Sequence, residues 1–185
     1  MVENILLWFL LGYLGWRLLM WLCPVRAKVV VRLNPMQSEL PLPDAILSGK
    51  QLPKAGLEAL FKTRFVQIST AYAAGQIKAV RSFMTETVYR AFEQAIQNRT
   101  EQGQYVDYKL VAFKKADLMD SDNHETRWID FETEQINLLK DKEDKVIEGD
   151  PMYLSLVREK WQFQWDEQSS SWLLAAVKNV EAHAG

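Results

Sequence analysis

The chain of 185 residues carries 22 basic and 24 acidic side chains, a formal net charge of −2, with no dense basic stripe. That pattern excludes the electrostatic footprint that holds a phosphate backbone, so nucleic acid is not an expected partner. Cys23 is the single cysteine, which excludes a disulfide framework or thiolate metal cluster within one chain, and no residue pattern calls for a cofactor.

Ile5 to Cys23 is an almost unbroken apolar run holding Trp8, Trp16 and Trp21, with one charge, Arg17. A helix rising about 1.5 Å per residue needs about 20 apolar residues to cross a hydrocarbon layer roughly 30 Å thick. Residues 4–25 supply that length and are expected to form a transmembrane anchor. Ten Leu, Ile and Phe residues between Ile5 and Leu22, at about −0.3 to −0.6 kcal/mol each, outweigh the roughly +2.5 to +3.5 kcal/mol of one central Arg. Arg17 lies near the C-terminal end of the run, where it can snorkel to the interface. Glu3 stands where a signal peptide would be basic, and no small-x-small cleavage site precedes Pro24. The competing reading is a helix buried among protein neighbours, which Gly12 and Gly15 would also suit. Arg26, Lys28 and Arg32 follow the run, so the positive-inside rule places the remaining chain in the cytoplasm or matrix.

Residues 26–53 read as a proline-rich tether, with Pro35, Pro41, Pro43 and Pro53 preventing one long helix and Ala27 to Leu33 suited to a short strand. A single domain is expected over residues 54–180. Leu57, Phe61, Phe65 and Tyr72 recur at helical spacing until Gly75, which predicts a helix and its C-terminus. A short helix through Ile77, Val80 and Phe83 follows, then a third from an N-cap at Thr85 to Gly103. Beyond Gly103 the period becomes alternating over Tyr105 to Leu118, Thr126 to Leu139, Arg158 to Trp165 and Trp172 to Val180. Turn chemistry separates these strands at Asp120 to Asn123, Asp141 to Asp144, Gly149 to Pro151 and Asp166 to Ser171. Helices first and hairpin-linked strands second predict an α+β domain, with helices on one face of a curved antiparallel sheet.

Phe65, Ile68, Ala71, Gly75, Ile77, Val80, Phe83, Met84 and Thr85 form one ordered block, and Glu148 to Pro151, Glu159-x-Trp161-x-Phe163 and Trp172 to Val177 form another. In order and spacing they resemble the Tim-forty-four-like family: the C-terminal domain of the mitochondrial inner-membrane import-motor subunit and its bacterial inner-membrane relatives. The resemblance covers roughly Ala55 to Asn179. It implies a cone-shaped, nuclear-transport-factor-two-like fold around an apolar cavity, binding at membranes, and no catalytic residues to transfer. The sequence departs from the import-motor subunit in having an apolar run and short tether where that subunit has a long N-terminal region. Chaperone docking is therefore not carried over. Without an Arg-rich, acid-poor presequence, a bacterial inner membrane is the expected setting, and a mitochondrial inner membrane the alternative.

Candidate sites follow from these elements. Tyr89, Phe92, Trp161, Phe163 and Trp165 are the candidate lining of an apolar pocket, with core packing as the other role for such aromatics. Lys54, Lys62, Arg64, Lys78 and Arg81, set among apolar residues, suit either anionic lipid headgroups or a solvated helix face. His124 and His183 fall in a turn and a tail and read as solvated. An isomerase-type reading pairs Asp130 as base with Tyr89 or Tyr108 as donor, against a solvated role for Asp130 beside Glu132. The expected function is a non-enzymatic binding or scaffold module, tethering membrane-associated proteins at the inner face of the inner membrane with lipid contact. The alternatives are an accessory structural subunit of a large membrane complex and a small-ligand or isomerase-type cavity protein.

Overall fold

Proline starts the first helix and glycine ends it. In the computed structural model, which describes residues 49–119, 123 and 125–180, helix α1 spans Lys54–Ala73. The Pro53 carbonyl accepts from the N–H groups of Gly56 (2.8 Å) and Leu57 (3.0 Å), closing the first turn. At the other end Gly75 adopts φ +72°, and the N–H groups of Gln76 and Gly75 return to the carbonyls of Ala71 (2.8 Å) and Tyr72 (3.1 Å). This is the Schellman geometry that a glycine without Cβ permits. Arg99, from a later helix, donates to the Tyr72 and Ala73 carbonyls and so satisfies further acceptors of that terminus.

The short second helix is a 3-10 helix over Ile77–Phe83, and helix α2 spans Glu86–Glu101. Thr85 occupies the N-cap position, but its hydroxyl makes no capping bond. Its backbone N–H instead donates to the Leu174 carbonyl at 2.9 Å, tying the start of α2 to the sheet.

Five antiparallel strands follow: β1 Gln104–Leu118, β2 Thr126–Asp141, β3 Val146–Glu148, β4 Ser155–Asp166 and β5 Ser171–Asn179. Their order is β1-β2-β4-β5, with β3 pairing β2 where β4 leaves off. The three residues of β3 are too few to give an alternation signal, and they were not expected from the sequence. Register shifts between Leu110 and Ala112 and between Phe113 and Lys115 bend β1, and another lies between Gln162 and Phe163. Such irregularities add local twist and give the sheet its curvature.

Along β2, Ile129, Phe131, Thr133 and Gln135 are buried, while Trp128, Asp130, Glu132 and Glu134 alternate with them on the opposite face. The helices cover the buried face. Phe61 stacks on Phe163 with centroids 4.0 Å apart and meets Trp172 edge-on at 5.9 Å. Phe65 lies 4.7 Å from both Phe131 and Trp161. These aromatic contacts join α1 to β2, β4 and β5 in one core.

The Gly149 turn carries a direct test. Gly149 has φ +91°, and an added Cβ would fall 2.5 Å from the Asn137 carbonyl oxygen. Gly149→Ala is expected to destabilise the domain by roughly 2–4 kcal/mol, seen as a lowered thermal midpoint. A midpoint equal to that of the unsubstituted protein would contradict this close approach.

The expected anchor with Trp8, Trp16, Arg17 and Trp21, the basic exit Arg26, Lys28 and Arg32, and the tether before Gly49 lie outside the described residues. Among the described residues no helix is long and apolar enough to cross a membrane.

Candidate functional site

The five aromatic residues proposed as a pocket are divided between two layers. Trp161 and Phe163 are buried on β4, 6.2 Å apart between ring centroids. The space against them is taken by Phe65 and Phe61 of α1. Trp165 is half-buried, edge-on to Trp172 at 5.5 Å, with the Lys50 ammonium 6.0 Å over its ring. Tyr89 and Phe92 belong to α2, where Phe92 packs on Tyr72 at 5.1 Å and the Tyr89 hydroxyl donates to Glu93 at 2.7 Å.

Tyr89 lines a surface cleft of about 650 Å³ with Lys78, Arg81, Glu86, Arg90 and Glu93. Glu86 accepts from Arg81 (2.6 Å) and Arg90 (2.7 Å), and these two guanidiniums, Arg90 foremost, hold its carboxyl below the usual carboxylate range. The Arg81 guanidinium also lies 4.9 Å over the Tyr89 ring. Two of the three cations are therefore committed to partners within the cleft. Elsewhere on the basic face Lys54 pairs with Asp117, Lys62 lies 5.9 Å from the Phe113 ring centre, and Arg64 stacks 3.5 Å over Phe83.

Asp130 lies on the face of β2 opposite the core and pairs with Lys160 of β4 at 3.5 Å. Tyr108 lies on the helix-covered side, where Ser69 of α1 neighbours its hydroxyl. The structure therefore does not bring Asp130 and Tyr108 together, and Tyr89 sits in the helix layer. His124 and His183 lie outside the described residues.

The carboxylate that does reach the inner face is Glu159. It is two residues from Trp161 on β4 and in register with Phe131 of β2. Burial pushes its carboxyl up to about 7, against a smaller opposing pull from the Trp161 indole. As a whole residue it is half-buried, on a strand position paired on both sides, with Phe131 of β2 and Asn179 of β5. Burial also pushes the Tyr108 phenol up to about 12, with Ser69 acting the other way and Glu159 adding to the rise. The Tyr108 hydroxyl, Trp161 Nε1 and the fully buried Thr133 hydroxyl make no hydrogen bond of full geometry, so the Ser69 and Trp161 influences act as near contacts. Chemically this is a desolvated acid beside unpaired donors, able to exchange a proton near neutrality. Glu159 was missed as a site although its signal was present: in Glu159-x-Trp161-x-Phe163 the acid shares a face with two core aromatics.

The described domain is similar in fold to the crystal structure of the intermembrane space region of chloroplast protein ARC6. The TM-score is 0.54 at 12% identity, covering 71% of this chain and 99% of that chain. No curated protein matches the chain. The α1 to β5 element order, the Glu159-x-Trp161-x-Phe163 strand and the Gly149 turn all fall within the span of one family model. The chain belongs to the Tim44-like domain family, whose model matches residues 54–179.

Proposed function

We propose that the protein is a membrane-held, non-enzymatic binding module that tethers partner proteins at the inner face of a bacterial inner membrane. In this reading residues 4–25 span the bilayer once, residues 26–53 form the tether, and a cone-like, nuclear-transport-factor-two-like domain follows. The observation that carries it is the Tim44-like match over essentially the whole domain. The mechanism is one of effective concentration: an anchored domain meets partners at the bilayer surface often enough for weak contacts to suffice. Lipid contact by Arg17 and the basic exit would add to retention.

The packing of Phe61 and Phe65 against Phe163 and Trp161 also favours this reading over a ligand chamber at those positions. The described chain begins at the β4–β5 hairpin end, where the Gly49 carbonyl accepts from Trp172 Nε1 (3.4 Å) and Lys50 pairs with Glu167 and Glu125. Gly49 and Lys50 are thereby fastened to the domain.

Alkaline carbonate extraction of membranes from cells expressing the full chain tests the reading. The protein is expected to stay with the membrane and be released only by detergent, and deletion of residues 4–25 is expected to free it. A full-length chain found in the soluble fraction would refute the anchor.

A further inference from the structure

We propose that the end of the sheet opposite Gly49 and Lys50 is a docking face for a basic, apolar, extended segment of a partner protein. Ile147, Met152 and Leu156 are 49%, 74% and 51% exposed and lie within ten residues of chain. They sit on β3, the β3–β4 turn and the start of β4. Gly149, pressed against the Asn137 backbone, holds that turn onto the distal half of β2. Tyr105, 38% exposed, lies at the same end of the sheet, across Lys140 from Val146. Isolated exposed apolar residues need no explanation, but several gathered at one end of a sheet mark a contact surface.

Charge identifies the occupant. Gly49 and Lys50 are fastened near Trp172, Glu167 and Glu125, at the far end of β2 and β4. At about 3.3 Å per residue, the ten steps of β4 from Leu156 to Asp166 put roughly 30 Å between the two ends. The apolar end is thus the one away from Gly49 and Lys50. Residues 141–150 hold five acids (Asp141, Glu143, Asp144, Glu148, Asp150) and two lysines (Lys142, Lys145), a net charge of −3. An acidic stretch of chain next to exposed apolar side chains favours Lys or Arg on the occupant and repels anionic lipid. Among the described residues β3 pairs with β2 alone, so a short extended segment can lie along its other edge. The proposal rests on the reading of the domain as a protein-binding module.

The test uses the full chain in detergent micelles and two fluorescein-labelled peptides, one of four Lys-Val repeats and one of four Glu-Val repeats, followed by anisotropy. The Lys-Val peptide is expected to bind about tenfold or more tighter than the Glu-Val peptide, with affinity falling as salt is raised. Met152→Ser with Leu156→Ser, and separately Glu143→Lys, are each expected to weaken it about fivefold or more, while Val66→Ser on α1 leaves it unchanged. Circular dichroism checks that these exposed substitutions leave the fold intact. Equal binding of the two peptides, or indifference to the variants, overturns the proposal. So does a dimer in sedimentation that Leu156→Ser dissolves, which would make a second copy the occupant. Binding that appears only after removal of residues 1–48 assigns the face to the chain's own segment and overturns it as well. Carbonate extraction is scored separately: a chain that is not membrane-held yet binds the basic peptide refutes the anchor and leaves this face standing.

Discussion

Phe61→Ala is expected to lower the unfolding free energy by about 3–5 kcal/mol, the range for deleting a large ring from a close-packed core. The ring is 0% exposed, stacked on Phe163 at 4.0 Å and edge-on to Trp172 at 5.9 Å. Its loss removes apolar burial and also opens a cavity between α1 and the strands β4 and β5. Neighbouring rings cannot collapse into that space, because Phe65, Trp161 and Phe131 hold one another at 4.7–5.8 Å. A domain of ordinary size is stable by only about 5–15 kcal/mol, so the variant should unfold at much lower urea. Urea titration followed by circular dichroism measures it. A loss below about 1 kcal/mol would mean that Phe61 borders open space, and would favour a ligand chamber at Trp161 and Phe163.

Glu159 predicts a pH dependence of stability. Its carboxyl titrates at about 7 in the folded protein, against an ordinary value of 4.5. Between those values the folded state holds a proton that the unfolded state has released, so stability falls as pH rises through this window. The contribution is fully present below about pH 4.5 and lost above about pH 7. The largest loss is about 3 kcal/mol, because each pH unit separating the folded and unfolded titrations is worth roughly 1.4 kcal/mol. Glu159→Gln removes the titration, and the variant is expected to gain on the unsubstituted protein progressively from about pH 5 to pH 7.5 and not at pH 4. Denaturation curves of both proteins across that range separate Glu159 from the other carboxylates, which the two share. A difference that does not change with pH would show that the acid is solvated in the folded state.

Several elements were legible because one local rule was enough for each. Pro53 and Gly75 bracket α1, since a missing N–H and a missing Cβ act wherever the neighbours lie. The turn chemistry read at Asp141 and Asp166 appears as carboxylates accepting the N–H groups of Glu143, Lys145 and Ser169. Alternation put Trp161 and Phe163 on the buried face of β4. Thr85 shows where the local rule stops: it stands at the N-cap position, but its hydroxyl makes no capping bond, and its backbone N–H is tied to the Leu174 carbonyl of the sheet.

The site was less legible, because its members are set by which face each strand presents and by what covers that face. Asp130 drew attention for lying between Ile129 and Phe131, yet that same alternation turns it outward to Lys160. Glu159 looked like one acid among many, and became the desolvated one because the inner face of β4 is roofed by α1. The sequence by itself determined the order of the helices and of the four longer strands, the family and the apolar run at Ile5 to Cys23, since each rests on neighbours in the chain. The tertiary structure decided that Phe61 and Phe65 fill the space over Trp161 and Phe163, and which carboxyl is desolvated. It also decided which end of the sheet keeps Ile147, Met152 and Leu156 exposed. Burial depends on residues far apart in the chain arriving at one place, and no local pattern encodes that distance.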